Sequence, residues 1–162
     1  MHPDLAQLVD LQRLDSAITA CRKALADLPV REAALEAKLA AALAARDAAK
    51  LRLTDAKAAR SAVEKDLAVV QSRLARFKDQ TLAVKTNKEF HALQHEIANA
   101  QEEIQRFEDR VLDFMMEADV LAAALKDAEK ALADTDHTTQ DARRSMTDDR
   151  TRLEGELEQH RA

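Results

Sequence analysis

The chain has one Gly, two Pro, one Cys, four Phe and neither Trp nor Tyr in 162 residues. So little Gly and Pro leaves almost no turn chemistry. That excludes the many short strands of a sandwich or barrel and the repeated loops of an α/β domain. Aromatics at 2% give little bulk to fill a thick core or wall a substrate pocket. The lone Cys21 excludes an intrachain disulfide framework and any multi-cysteine metal site. No run approaches the ~18 apolar residues of a membrane span. Met1-His2-Pro3-Asp4 lacks the basic and apolar regions of a signal peptide. A reducing, cytoplasmic setting is the expectation, and an enzyme is not. The chain offers no paired carboxylates, no nucleophile beside a base and no Gly-rich phosphate loop.

The residues that remain are helix formers. Ala and Leu number 34 and 21, and charged residues make up 34%, a bias typical of long helices and coiled coils. The formal charge of −5 argues against a general nucleic-acid coat while leaving room for a local basic patch.

Apolar residues recur at alternating spacings of three and four. In a first arm they run Leu11, Leu14, Ile18, Cys21, Leu25 and Leu28, and onward through Leu35, Leu53, Val63 and Val70 to Phe77. In a second arm they run from Phe90 and Leu93 through Ala100, Phe107, Phe114 and Leu125 to Leu132. The second seam weakens through Thr135, Thr139, Met146 and Asp149 to Leu153. Phase held over so many heptads predicts a left-handed coiled coil. Between the arms, Thr86-Asn87-Lys88-Glu89 reads as a capping box. The Thr86 hydroxyl takes the Glu89 N–H and the Glu89 carboxylate reaches back to the Thr86 N–H. A short connection between long helices makes them antiparallel neighbours.

The predicted fold is therefore all-α, a long kinked antiparallel coiled-coil helical hairpin forming one domain over 1–162. Arm one spans about 3–80 with its kink at Pro29, the tip about 78–86, and arm two about 86–160. Pairing Phe77 with Phe90 sets the layers. Leu67 then meets Ala100, Ala42 meets Leu125, Cys21 meets Met146, and Pro29 falls opposite His137 and Thr138. At the base Ile18 meets Asp149 and Leu11 meets Glu156, so those layers bury less apolar area. The rival topology reverses arm one at Pro29 into a three-helix bundle. The pattern leaves monomer and homodimer both open.

His91 and His95 have the i, i+4 spacing that can grip a metal, but no third ligand is at hand, and two exposed histidines are the expectation. Cys21 is expected to act as a small apolar core residue. Arg46 and Arg60 fall on the seam and must snorkel or pair with acids, with Arg60 able to stack on Phe107. The tip differs in charge from the rest. From Arg73 to Phe90, the cations Arg73, Arg76, Lys78, Lys85 and Lys88 outweigh Asp79 and Glu89, a local charge of +3. Basic residues on a rigid tip can recruit an acidic protein surface or a phosphate backbone.

The run Leu82-Ala83-Val84-Lys85-Thr86-Asn87-Lys88-Glu89-Phe90-His91-Ala92-Leu93-Gln94-His95-Glu96-Ile97 resembles the "VKTNKEYxALxxEI" segment of the bacterial C4-type zinc-ribbon proteins with a coiled-coil N-terminal domain. The opening Leu5 to Asp15 is similar to that family's "LxxLQxLD" start. The resemblance implies a helical hairpin followed by a four-cysteine zinc ribbon. It also implies an adaptor or chaperone-like role toward partners such as the sigma-54 transcription factor or flagellar and secretion components, with RNA binding in some relatives. No cysteine pair follows in Leu157 to Ala162, so the resemblance carries no zinc or other cofactor into this chain. The expected partner site is the tip: Arg73, Arg76, Lys78, Lys85, Thr86, Asn87, Lys88, Glu89 and Phe90. A nucleic-acid-binding module using the basic tip is the alternative, and a passive spacer is a third reading.

Overall fold

The computed structural model describes residues 3–161. The signal-peptide reading at Met1 and His2 lies outside the described residues. Two helices account for nearly all of the rest: α1 over Pro3–Thr81 and α2 over Asn87–Arg161. They pack against each other as a coiled-coil hairpin, and no strand occurs among the described residues. The chain groups into two compact units, one of residues 1–45 and 129–162, the other of residues 46–128.

The helices persist because the residues that usually interrupt them are satisfied locally. The polar stretch 134–141 stays helical with Thr135 Oγ1 donating to the Ala131 carbonyl at 2.7 Å and Thr138 Oγ1 to that of Thr135 at 3.0 Å. Gln140 bonds Asp136 at 2.9 Å, and His137 Nδ1 lies 3.0 Å from Asp141. Such back-bonding keeps the hydroxyls paired within helical geometry, at a small cost in helix stability. α1 also runs through Pro29 without interruption. Pro29 therefore does not reverse the chain, and the three-helix alternative is overturned. Its ring removes one backbone donor, the one that would serve Leu25.

The seam phase is as predicted. In the first unit Cys21, Leu28, Thr139 and Leu153 are buried; in the second, Ala56, Val63, Val70 and Ala100 are. The intervening seam positions are half-buried. A two-helix seam covers one stripe of each helix, so few side chains are shielded fully.

The register differs from the predicted one. Cys21 Sγ lies 3.5 Å from Glu156 Oε2, whereas the Phe77–Phe90 layering set Cys21 opposite Met146, about 15 Å away along α2 at helical rise. Arg143 meets Glu36 at 3.2 Å in the same unit. In the other unit Arg73 pairs with Glu103, where the predicted layers put it level with Gln94. Because the phase is kept, the arms have slipped by a whole heptad. The slip sets Leu153 opposite Cys21, Met146 opposite Leu28, and Ile97 opposite Phe77. It gives Leu28, only 2% exposed, an apolar neighbour where the earlier layering gave it Thr139. Burying that carbon surface is worth about 25 cal/mol per Å².

The same slip corrects three seam residues. Phe90 is 41% exposed, since it falls level with the connecting loop rather than with Phe77. Leu11 and Leu14 are 69% and 43% exposed. Leu14 comes level with the last turn of α2, and Leu11 falls past Arg161, the last described residue of that helix. The base is thus well packed from Cys21 to Leu28 and open only before it, rather than weak throughout.

Candidate functional site

The two helices are joined by five residues, Leu82 to Thr86. No described residue has a positive φ, so α1 does not end in a left-handed cap. It tightens instead, with the Leu82 N–H donating to the Asp79 carbonyl at 3.2 Å and the Ala83 N–H to that of Gln80 at 3.0 Å. Bonds of this i to i−3 kind satisfy terminal carbonyls without Gly. Thr81 Oγ1 donates to the Phe77 carbonyl at 2.8 Å. Lys78 in the last turn sits where a cation complements the helix dipole.

α2 starts at Asn87, as the capping pattern predicts. Thr86 is its N-cap. The Glu89 N–H donates to Thr86 Oγ1 at 3.3 Å, and the Phe90 N–H donates to the Thr86 carbonyl at 3.1 Å. The reciprocal half of the box is altered. The Glu89 carboxylate accepts from the Thr86 hydroxyl at 2.8 Å, not from its N–H. The carboxylate still lies in the first turn, where negative charge is favoured.

This loop and the first turns of α2 frame an open cleft of about 660 Å³. Its walls come from Gln80 on α1, from Ala83, Val84, Lys85 and Thr86 in the loop, and from Glu89, Ala92 and Leu93 on α2. The cleft exists because alanine stands at 83 and 92 and because the register slip leaves the start of α2 uncovered by α1.

The predicted site residues divide into two groups. Lys85, Thr86, Asn87, Lys88, Glu89 and Phe90 are all exposed and contiguous at the apex, with Lys78 just below. Arg73 and Arg76 lie further down α1, beside a separate shallow cleft with Ala68, Val69 and Ser72. Arg73 is committed to Glu103. Arg76, Lys78, Lys85 and Lys88 make no ion pair among the described residues. Sequence reasoning missed Leu82, which is 88% exposed at the apex, and the cleft residues Ala83, Ala92 and Leu93. An alanine is silent in a sequence until the fold shows what space it leaves.

The other candidates resolve separately. His91 and His95 are exposed, and the His91 ring meets Phe90 edge-on at 6.1 Å between centroids. Arg60 Nε donates to Glu64 at 2.7 Å on its own helix, whereas Arg46 Nε, though 2.8 Å from Asp47, is buried without a hydrogen bond. Arg60 does not stack on Phe107; Arg110 does, at 6.0 Å from the ring centroid. Cys21 is buried and free. Its thiol pKa is raised, first by burial, then by the hydrogen bond to Glu156 and that carboxylate's charge, with Arg152 opposing. Arg152 itself bridges Asp149 and Glu156 at 3.1 and 3.0 Å.

Two antiparallel helices sharing one heptad seam, joined by a capped five-residue tip, define a coiled-coil hairpin protein. The chain belongs to the family of the CT398-like coiled coil hairpin domain, which it matches over residues 11–162. No curated protein and no solved structure matches it. No helix among the described residues is long and apolar enough to cross a membrane.

Proposed function

We propose that the chain is a non-enzymatic, cytoplasmic adaptor that holds a partner protein at the hairpin tip. The observation that carries this reading is the set of four cations, Arg76, Lys78, Lys85 and Lys88, without ion-pair partners among the described residues on a chain of net charge −5. Charge of that sign at one end steers an acidic partner to the tip and away from the flanks. The cleft beside it offers carbon and a carboxylate already engaged by Thr86, a surface suited to contact rather than to bond making. The resemblance of the tip to the zinc-ribbon family supports a finer reading, a chaperone-like hold on a transcription or secretion component such as sigma-54.

Nucleic acid is the second reading, favoured by the same cations. Salt separates the two, because phosphate binding weakens steeply with ionic strength and a packed protein interface less so. Lys85→Glu with Lys88→Glu takes the local charge from +3 to −1 while removing no contact of the helix seam. In a pull-down, the wild type retains an acidic protein partner that the double variant loses, with helix content unchanged by circular dichroism. Full retention by the double variant at low salt refutes the tip as the contact surface.

A further inference from the structure

The tip cleft joins two chemistries that a purely electrostatic contact would not need. Its floor is aliphatic, formed by Ala83, Val84, Ala92 and Leu93. Its rim is cationic, with Lys85 in the lining and Lys88 in the adjoining turn. Glu89, the only acidic residue in the lining, has its Oε2 occupied by the Thr86 hydroxyl at 2.8 Å. Leu82, the most exposed large apolar residue of the described chain, stands in the same loop.

The volume of about 660 Å³ lies within the ~300–1,000 Å³ of ligand sites, but such sites enclose most of a small molecule. This cleft is open and can cover only one face of its occupant, which suits a segment of a larger chain. A nucleotide base would want a flat aromatic face. No aromatic ring lies in the lining, and Phe90, beside Glu89 in sequence, is met edge-on by His91.

We propose, resting on the tip as the partner surface, that this cleft seats a short protein segment in which aliphatic side chains alternate with Asp or Glu. The aliphatic groups fill the space left by Ala83 and Ala92. The carboxylates meet Lys85 and Lys88, and the flanking Leu82 extends the apolar contact. Apolar burial supplies most of the hold and the charges set orientation and encounter rate.

The test is selection of phage-displayed random peptides on the full 162-residue chain, with fluorescence polarisation of the selected peptides. The expected yield is peptides pairing Asp or Glu with Leu, Ile, Val or Met. Ala92→Phe, which fills the floor and leaves every charge in place, weakens them by about tenfold or more. Ala83→Leu, in the loop, does the same and serves if Ala92→Phe reduces helix content. Selection of no such motif, or binding unchanged in both filled variants, overturns the proposal. If the filled variants bind normally while Lys85→Glu with Lys88→Glu abolishes binding, the tip acts by charge alone and only the cleft assignment falls. If the peptides bind all these variants equally, the tip reading falls with it. A labelled single-stranded RNA that displaces the peptides, and binds tighter than they do with a steep salt slope, also overturns it.

Discussion

Leu28 and Leu11 both fall on the seam of α1, yet the register gives them opposite environments. Leu28 is 2% exposed and Leu11 is 69% exposed. Leu28→Ala removes about three carbons from a dry position, about 2.4 kcal/mol at ~0.8 kcal/mol per methylene. A cavity would add to this at about 24 cal/mol per Å³. A two-helix seam can close in or admit water, so that addition is small, and a total of about 2–3 kcal/mol is expected. Leu11→Ala loses only the covered third of the same surface, under about 1 kcal/mol, and Ala regains part of it through helix propensity. Urea unfolding followed by ellipticity measures both, with unchanged slopes showing that stability alone has moved. Equal losses at the two positions would refute the register. They would mean that Leu11 is covered as fully as Leu28, which the slipped register does not allow.

Three further outcomes follow from local geometry. Pro29→Ala restores a backbone donor inside α1 and should raise stability by about 2–3 kcal/mol, read as a higher urea midpoint; a fall would show that the packing of Leu28 depends on Pro29. Thr86→Ala removes the acceptor of the Glu89 N–H and should cost about 1 kcal/mol, visible as faster amide exchange over residues 88–90, whereas unchanged exchange would show that the cap contributes nothing. Cys21 should react with iodoacetamide along a pH profile displaced above that of an ordinary thiol, and Glu156→Gln should move the profile partway back, because burial is the larger cause. A thiol whose pKa is raised by folding holds its proton more tightly in the folded chain. Its contribution to stability is therefore complete at neutral pH and declines as pH rises past the ordinary thiol value, and a profile at that ordinary value would sink the assignment of Cys21 to the seam.

The scarcity of Gly, Pro and aromatics, the Ala and Leu content and the unbroken spacing determined that this chain forms two helices with one apolar stripe each. Helix propensity and the 3.5-residue period are local properties, so they are legible without a partner. The capping pattern located the start of α2 at Asn87 for the same reason, since a cap is a contact between neighbours in sequence. The cations of the tip were likewise visible as a run of residue types. Register was not legible. A seam that repeats every heptad fits its partner nearly as well after a slip of one repeat, and the choice rests on summed burial at Leu28, Cys21, Leu153 and Phe77 together with how α1 ends. That choice, made only by the tertiary structure, exposed Phe90 and Leu11, brought Glu156 to Cys21, committed Arg73 to Glu103, and opened the cleft at Ala83 and Ala92. A space between side chains belongs to their arrangement, and no residue type announces it in advance.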